Sequence, residues 1–400
     1  MLSISLEPRG GRVRRTRSTA DGTHAPARVG LAPDAPATRL VLPATAGADD
    51  LADRVEQGLA EVRLLLVDEV ERRRSRAREL AAEHAALWRA VGDQIGGRLM
   101  RPRLTLAAYL GLGGTDVAAA TPVAAAQEML HTAMLVHDDV LDHDDTRRGR
   151  PNVTGSARRR LAANGVTGPA AEAPVLAAGL LGGDVALAAA FELVAAAPAP
   201  AEVRLRVVQD LARAVDTTVA GELLDVTGSL HGPTAVDALR VAELKTAVYS
   251  CCTPLAAGAL LAGADDSVLG VLDRFGTAFG VAFQLLDDEL GVFGDPAVTG
   301  KSTLSDLREG KRTELLRLAY LRADAADRAV LDATVGRPDL TDAEARRVRE
   351  VMVRSGALDE ARLVRADALR TATTTADEGL PGALAAYLGS LVAVVAGTTP

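Results

Sequence analysis

The sequence predicts an all-α protein that folds as a single large helical bundle, and three observations carry that prediction. Hydrophobic residues make up 48% of the 400 residues but aromatic residues only 2%, so the core must consist of Ala, Leu and Val. Alanine and leucine are strong helix formers, whereas aromatic residues favour strands. Apolar side chains recur at steps of three and four residues, as in Leu59, Val62, Leu66 and Val70. No strand-like run or internal repeat interrupts the roughly ten or more helices that Pro and Gly residues separate.

The first 48 residues differ in composition from the rest of the chain. Residues 1–48 contain seven arginines and three acidic residues, which gives a net charge of +4 and leaves −12 for the remainder. They lack apolar periodicity and the apolar core of a signal peptide. An organelle transit peptide has a similar composition, but a disordered bacterial extension fits the whole chain better. We therefore predict an extension over 1–48 and one helical domain over 49–400.

Charge and cysteine content exclude several classes of function. A net charge of −8, with no basic stripe interleaved with aromatic residues, argues against nucleic-acid binding. The two most apolar stretches either carry Asp184 and Glu192 or fall short of the roughly twenty residues that a span needs, so we expect no membrane span. Cys251 and Cys252 are neighbours, unlike paired or metal-binding cysteines, which indicates small buried side chains in a reducing, cytoplasmic protein.

A first acidic cluster lies in the segment HDDVLDHDDTRRGRP, residues 137–151. On a helix, His131, Asp138 and Asp142 share one face, and carboxylates one turn apart repel each other unless a cation joins them. Such hard oxygen ligands suit Mg²⁺, which favours a few carboxylates together with substrate phosphate. Asp139 lies beside this face, either as a ligand or as support for one.

Arginines follow the first cluster directly. Arg147 and Arg148 come after a short loop, where their forked donors could grip phosphate oxygens. A solvated acidic helix end with a basic loop is the structural alternative, whereas a calcium loop is excluded by the missing EF-hand spacing. A further basic group places Arg98 and Arg101 three residues apart, just before Pro102.

A second acidic cluster lies in the segment FGVAFQLLDDELGVFGD, residues 279–295. Gln284, Asp287 or Asp288, and Gly291 share a helical face, and the helix should end at one of the glycines near residue 291 or 294. The cluster therefore repeats the pattern of the first one at the end of another helix.

Lysine placement links the two clusters. Only three of the 45 basic residues are lysines. Lys301 and Lys311 follow the second cluster, and Lys245 lies on an earlier helix. Lysine and arginine are not interchangeable where a compact point charge is needed, so this placement favours a charged site over a solvated surface.

These motifs together resemble the trans-isoprenyl diphosphate synthases, the polyprenyl synthetase family. The first family motif, DDxxD followed by RRGxP, matches residues 138–151, and the second matches residues 284–301. The KT motif matches Lys245 and Thr246, and the upstream ExxH matches Glu128 and His131. Matches run in order from about residue 96 to residue 313.

The chain departs from the usual family pattern at three positions of interest. Arg98 stands where lysine is usual, and Glu222 stands where glutamine is commoner. Gly291 replaces the last aspartate of the second DDxxD motif, so one carboxylate near the metal is missing there.

The resemblance implies an isoprenoid synthase fold with a central active-site cavity, working as a homodimer. The implied reaction is a Mg²⁺-dependent condensation of isopentenyl diphosphate with an allylic diphosphate, with about three Mg²⁺ held by diphosphate and protein. The implied metal ligands are Asp138, Asp142 and Asp287. The other implied catalytic residues are Asp139, Lys245, Thr246, Gln284 and Asp288. The implied substrate-binding residues are Arg98, Arg101, His131, Arg147, Arg148, Lys301 and Lys311.

By the same resemblance, product length depends on the residues before the first motif. Ala133 and Met134 lie five and four residues ahead of Asp138. A bulky residue at the fifth position stops chains at fifteen carbons, so Ala133 predicts the longer geranylgeranyl diphosphate. The alternatives from other classes are a class I terpene cyclase, a non-catalytic subunit of a heteromeric synthase and an acidic helical scaffold. The paired aspartates of both clusters and the placement of the lysines argue against all three.

Overall fold

The computed structural model describes residues 48–295 and 303–398, which are almost wholly helical. The N-terminal half comprises α1 (Ala48–Leu80), α2 (Ala82–Gly92), α3 (Met100–Gly111), α4 (Val117–Leu141), β1 (Thr146–Arg147), β2 (Arg150–Pro151), α5 (Val153–Ala163) and α6 (Pro169–Ala195). The remainder comprises α7 (Ala201–Gly228), α8 (Ala238–Val241), a π-helix (Ala242–Cys252), α9 (Thr253–Leu261), α10 (Asp266–Phe293), α11 (Ser305–Glu309), α12 (Glu314–Arg322), α13 (Ala325–Thr334), α14 (Asp342–Arg354), α15 (Ala357–Gly379) and α16 (Gly382–Gly397). The all-α prediction is confirmed. The extension predicted over 1–48 lies, apart from its last residue, outside the described residues.

The helices pack through the stripes that the sequence predicted. Leu59, Val62, Leu66 and Val70 of α1 are all fully buried. Helix α4 packs along α6, while α10 packs along α15 and the π-helix. Alanines fill much of the core, and their small side chains let neighbouring helices approach closely.

The predicted loop after α4 contains a very short hairpin, which the sequence analysis did not anticipate. Thr146 pairs with Pro151 and Arg147 with Arg150 in antiparallel register. The two turn residues, Arg148 and Gly149, have φ angles of +52° and +70°. Two positive φ angles in a two-residue connection are typical of a type I′ turn, which matches the twist of paired strands. The hairpin directs Arg147 back over the end of α4, whereas Arg148 reaches the carbonyl of Gln94, just after α2.

The helix Ala238–Leu261 is continuous but widens into a π-helix over its central eleven residues, Ala242–Cys252. Glycines on both neighbouring helices make room for it. A Cβ atom on Gly221 of α7 would lie 2.4 Å from the backbone nitrogen of Lys245, and one on Gly280 of α10 would lie 2.5 Å from Cα of Ala247. Wide helical turns often occur at functional sites, and this one carries Lys245 and its neighbour Thr246.

A second hydrophobic cluster is built from the helices after α10. It joins Val292, at the end of α10, to residues of α11, α12, α14 and the start of α15. Beside it, Glu289 of α10 is buried and accepts bonds from Arg362 at 2.8 Å and Arg365 at 2.6 Å. Glu289 follows Asp288 directly, so this ion pair fixes the second acidic cluster against α15.

In the part of the chain that the structure describes, three helices are long and apolar enough, by length and composition, to cross a membrane: Pro169–Ala195, Ala238–Leu261 and Asp266–Phe293. The latter two carry Lys245 and the second acidic cluster, respectively. The expectation of no membrane span stays a prediction. Cys251 and Cys252 are free and buried, and burial raises the pKa of the Cys251 thiol to about 12. Their predicted character as small buried residues is confirmed.

Candidate active site

The first acidic cluster lies at the C-terminal end of α4, with Asp142 as the capping residue. The hairpin presents Arg147, which donates from Nε to Asp139 Oδ1 at 2.8 Å and from Nη2 to Asp138 Oδ2 at 3.2 Å. Carboxylates at this end of a helix oppose the helix dipole and repel one another, so the guanidinium stabilises an arrangement that is otherwise unfavourable.

Lys245 of the π-helix reaches the same cluster from the other side. Its Nζ lies 3.4 Å from Asp138 Oδ1, 3.1 Å from Glu222 Oε1 and 2.6 Å from Asp225 Oδ2. Glu222 and Asp225 are one turn apart on α7. Although burial alone would lower it, these carboxylates raise the pKa of Lys245, which stays charged. The ammonium of the π-helix therefore links α4 and α7 through its ion pairs.

Lys311 completes the ring of cations around the first cluster. Its Nζ lies 2.9 Å from Asp142 Oδ2 and 3.2 Å from Glu309 Oε2. Because Lys311 follows α11, this contact ties the segment after the second cluster to the first cluster.

The two neighbouring aspartates of the first cluster differ in charge behaviour. Burial would raise the pKa of Asp138, but Lys245, Lys311 and Arg147 outweigh it and hold the pKa below its ordinary value. Burial raises the pKa of Asp139 to about 6 in spite of Arg147. Asp139 Oδ2 is buried and has no hydrogen-bond partner among the described residues. Asp138 is thus the stable anion, while Asp139 serves to orient Arg147.

The second cluster is organised by a chain of polar side chains. Thr246 Oγ1 donates to Gln284 Oε1 at 2.7 Å, and Gln284 Nε2 donates to Asp288 Oδ1 at 2.7 Å. Burial, together with the nearby carboxylates of Asp306 and Asp287, raises the pKa of Asp288 well above its ordinary value. Asp287 is half-buried on the same turn of α10.

A second group of cations lies beside α4, at the start of α3. Arg101 Nη2 donates to Ser250 Oγ at 2.7 Å, and its guanidinium stacks 5.1 Å from the ring centre of Tyr249. Tyr249 Oη lies 3.4 Å from His131 Nδ1. From the hairpin, Arg148 Nη1 donates to the carbonyl of Gln94 at 3.1 Å. His131 and Ser250 are buried, Arg101 and Tyr249 are half-buried and Arg148 is exposed. Together they form a positive pocket separate from the aspartates.

The charges of this pocket are set by burial. It lowers the pKa of His131 well below its ordinary value, with Arg101 and Arg148 acting in the same direction, so the imidazole is neutral. Burial raises the pKa of Glu128 against the same two arginines. Arg101 Nε and Glu128 Oε2 are buried without hydrogen-bond partners among the described residues. Such groups are costly to leave unpaired, and an anionic ligand would satisfy the guanidinium.

An acidic cluster contacted by three cations, a second pair of aspartates on α10 and a separate positive pocket agree with a match at the level of the whole sequence. The family model described as polyprenyl synthetase matches residues 87–352. The chain belongs to the polyprenyl synthetase family. It is accordingly a prenyltransferase.

Relatives and solved structures agree with this assignment. A geranylgeranyl diphosphate synthase of Mycobacterium tuberculosis is 33% identical over 65% of this chain and 69% of the relative. A structure described as geranylgeranyl pyrophosphate synthase from Corynebacterium glutamicum, complexed with isoprenyl diphosphate and magnesium, has a TM-score of 0.75 at 29% identity and covers 88% of this chain and 98% of that one. A polyprenyl synthase from Caulobacter crescentus, complexed with calcium and isoprenyl diphosphate, has a TM-score of 0.72 at 30% identity and covers 90% and 100%.

The donor set of this polyprenyl synthetase fits a divalent cation that is bound together with diphosphate. Carboxylate oxygens are the ligands that Mg²⁺ prefers, and Mg²⁺ usually combines one or two of them with substrate phosphates. Among the described residues, no group of three or more His, Cys, Asp or Glu side chains could hold a metal ion alone. Lys245 and Lys311 occupy the space between the carboxylates instead, so a complete metal site requires phosphate oxygens as further ligands.

The structure brings most of the predicted site residues together. Asp138, Asp139, Asp142, Arg147, Lys245 and Lys311 form the first group, and Thr246, Gln284, Asp287 and Asp288 form the second. Arg98 is exposed in the turn before α3, unlike the half-buried Arg101. Ala133 is fully buried within α4, and Met134 is partly buried against the main core. Lys301 lies outside the described residues.

Several side chains at the site were not predicted as site residues. Glu222 and Asp225 hold Lys245, Glu309 holds Lys311, and Tyr249 joins Arg101 to His131. Tyr249 lies four residues after Lys245, a helical spacing that could have indicated it. The carboxylates of α7, at positions 222 and 225, lie 23 and 20 residues before Lys245 in sequence, and no local pattern connects them.

The cavity between α15 and α16 lies apart from these groups. It has a volume of about 450 Å³ and is lined by Arg362, Arg365, Arg370 and apolar side chains. No aspartate of either cluster lines it. The active site is therefore located by its converging side chains rather than by this cavity.

Proposed function

We propose that this prenyltransferase condenses isopentenyl diphosphate with an allylic diphosphate and makes geranylgeranyl diphosphate as its main product. The observation that carries the proposal is the convergence of three cations, Arg147, Lys245 and Lys311, on the aspartates of the first cluster, which makes a space lined by both carboxylates and cations. A leaving diphosphate fits this space because it needs both metal ligands and direct cationic donors.

The residues of the two clusters would act on the leaving group. Asp138, Asp142 and Asp287 would hold about three Mg²⁺, which when bound neutralise the charge that develops on the diphosphate. The allylic carbon–oxygen bond breaks and its electron pair goes to the diphosphate. Lys245 and Arg147, which contact Asp138 in the free enzyme, lie close enough to donate to the same diphosphate. Their charge is worth several-fold more in a water-poor site than in bulk water.

The positive pocket would bind the second substrate. Arg101, Arg148 and the neutral His131 supply donors for the diphosphate of isopentenyl diphosphate, and Arg98 extends the pocket toward solvent. Its double bond then forms the new carbon–carbon bond with the allylic cation, and a proton is lost to the departing diphosphate. Holding the two reactants side by side makes this step effectively unimolecular. Thr246 and Gln284 would line the reacting centre.

Product length would depend on the residues of α4 that precede the first cluster. Ala133 is small, and by the family resemblance a small residue at the fifth position before the first motif would let the chain grow past it. Two relatives are named for other products. They are a geranylfarnesyl diphosphate synthase of Aeropyrum pernix and a farnesyl diphosphate synthase of Mycobacterium bovis, and the matches cover 31% and 37% of those proteins. Replacing Ala133 with Phe should shorten the main product. An unchanged product spectrum would show that the residue at position 133 does not limit product length.

The experiment that tests the function is a product analysis. The enzyme is incubated with isopentenyl diphosphate and dimethylallyl, geranyl or farnesyl diphosphate, with and without Mg²⁺, and the chain lengths are measured. Mg²⁺-dependent elongation to twenty carbons supports the proposal. Cyclisation or hydrolysis without elongation would favour a terpene cyclase, and no reaction with any starter would favour a non-catalytic subunit.

A cytoplasmic homodimer is part of the same proposal. Helices α6 and α7 expose large apolar side chains, among them Leu176, Leu180, Leu181, Leu223 and Leu224. Apolar patches of this kind mark interaction surfaces, and a second copy would cover them. Sedimentation of the wild type and of Leu180→Glu tests this, with a monomeric wild type as the contradicting result. The reduced, buried cysteines favour the cytoplasm, which cell fractionation tests.

A further inference from the structure

The second acidic motif lacks its last aspartate, but a carboxylate occupies the corresponding space. Gly291 follows Asp287 by four residues and lies on the same face of α10. A Cβ atom placed on Gly291 would lie 2.2 Å from Asp306 Oδ2 and 3.2 Å from Asp306 Cγ. Within an aspartate, Cβ and a carboxylate oxygen are roughly 2.4 Å apart, as its bond lengths require. Asp306 Oδ2 is therefore as close to this point as the missing side chain's own oxygen would be.

Asp306 also lies near a cation of the first acidic cluster. Five residues after Asp306, Lys311 places its Nζ 2.9 Å from Asp142 Oδ2. Asp306 thus lies beside Gly291 of the second motif and close in the chain to the lysine that contacts the first cluster.

The short helix α11 holds Asp306 rigidly. Leu307 is buried in the second hydrophobic cluster, and its carbonyl accepts from Gly336 at 2.8 Å. Arg308 donates to the carbonyl of Leu340 from Nε at 3.1 Å and from Nη2 at 2.9 Å. After the helix, Gly310 has a φ of +66°, and the Lys311 nitrogen bonds to the Asp306 carbonyl at 3.0 Å. A side chain on an element fixed this firmly can serve as a positioned ligand.

We propose that Asp306 supplies the carboxylate that the second motif lacks, and that Gly291 is glycine because this carboxylate takes its space. The inference rests on the proposed function, since it assigns Asp306 to the binding of the metal–diphosphate complex there. Asp306 acts on the metal directly or through a metal-bound water, in partnership with Asp287.

The inference predicts a reciprocal pair of variants. Asp306→Asn keeps the shape but removes the charge, and should weaken Mn²⁺ binding in the presence of inorganic diphosphate by roughly 10- to 100-fold. Gly291→Asp alone should also be impaired, because its side chain collides with Asp306. The double variant Gly291→Asp/Asp306→Gly should recover binding to within a few-fold of the wild type, since neighbouring sites are not additive.

Mn²⁺ binding is measured by electron paramagnetic resonance and by calorimetry, with melting temperatures recorded for every variant. Asp367→Asn on α15, an exposed residue paired with Arg370, is the matched control and should bind as the wild type does. Wild-type Mn²⁺ affinity in Asp306→Asn overturns the inference, as does a folded double variant that binds no better than either single variant. If the wild type elongates no prenyl chain but Asp306→Asn still loses Mn²⁺, the proposed function fails and the metal assignment stands.

Discussion

The two acidic clusters have similar sequences, but the pKa of an aspartate is lowered in the first cluster and raised in the second. Each places a pair of adjacent aspartates near the C-terminal end of a long helix, α4 or α10. Three cations contact the first cluster, and they hold the pKa of Asp138 below its ordinary value. Asp288 of the second cluster accepts from the uncharged amide of Gln284, and burial and nearby carboxylates raise its pKa.

This difference indicates that the surrounding side chains, rather than the aspartate pair itself, determine how each cluster would bind a metal ion. In the first cluster the charged form of Asp138 is favoured, and Arg147, Lys245 and Lys311 already contact the aspartates, so a metal ion must compete with these cations. A bound diphosphate would attract the same cations and release the carboxylates. In the second cluster, burial disfavours the charged form of Asp288, and arriving positive charge would favour it. Metal and diphosphate are therefore expected to bind cooperatively.

The largest effect should follow from neutralising the anion of the first cluster. Asp138→Asn removes a proposed metal ligand and frees both Lys245 and Arg147, so kcat/KM should fall by about 10²- to 10³-fold. Asp288→Asn should cost less, about tenfold, because burial already favours its uncharged form. Steady-state kinetics measures both, with Asp145→Asn as the control, since the side chain of that half-buried residue pairs only with Arg158 among the described residues. Equal losses at both positions would contradict the comparison.

Removing a cation from the first cluster should separate metal binding from turnover. Lys245→Met should lower kcat by about a hundredfold, because a donor to the leaving group is lost. The same change should tighten Mn²⁺ binding in the absence of diphosphate, because the ammonium no longer competes for Asp138. Calorimetry without and with diphosphate tests this, and Arg240→Met is the control on the same helix. Weaker Mn²⁺ binding without diphosphate would show that Lys245 does not compete with the metal.

The pH dependence of kcat/KM should reveal the protonation of Asp139, the neighbour of Asp138. The pKa of Asp139 is raised to about 6, so above pH 6 its carboxylate orients Arg147, and below pH 6 it is protonated and the ion pair weakens. The value of kcat/KM should therefore fall as the pH drops through about 6. Asp139→Asn should lack this inflection, with a plateau about tenfold lower. Coinciding pH profiles for the two proteins would rule out this role.

The smallest effect on activity is expected at the ion pair that anchors the second cluster. Glu289→Gln leaves the buried Arg365 without its charged partner, and removing one member of a buried pair costs about 3 kcal/mol or more of unfolding free energy. Turnover below the melting temperature should change less than about threefold, because no substrate-facing group is lost. Chemical denaturation and kinetics test this. A large loss of turnover in a fully folded variant would give Glu289 a role at the site itself.

The sequence was sufficient for the fold class and for the composition of both clusters, because these depend on local spacing. Helical periodicity placed Leu59, Val62 and Leu66 in the core, and the i and i+4 rule placed Asp138 and Asp142 on one face. The π-helix was not predictable in this way, since it depends on the close approach of Gly221 and Gly280 from two other helices. The contacts of Lys245 with α7 depend on tertiary packing for the same reason.

The hairpin illustrates a second limit of local reasoning. Arg-Gly is a poor match to a type I′ turn, which prefers Asn-Gly or Asp-Gly, so the residue types at 148 and 149 indicated a loop. Asn152 stabilises the turn from outside it, by accepting from the Gly155 nitrogen and donating to the Asp144 carbonyl. Gly155 in turn lies so close to the Asp145 carbonyl that a Cβ would approach it to 2.0 Å.

The left-handed backbone of Arg148 should create a trade-off between thermal stability and activity in this protein. A non-glycine residue in that conformation costs about 1 kcal/mol or more, and glycine or asparagine at position 148 would relieve it. A laboratory selection for thermal stability alone should therefore enrich Arg148→Gly and Arg148→Asn, and in doing so remove a guanidinium from the positive pocket. Selection for turnover would retain the arginine. A substitution at position 148 is therefore expected to gain thermal stability at the expense of catalytic activity.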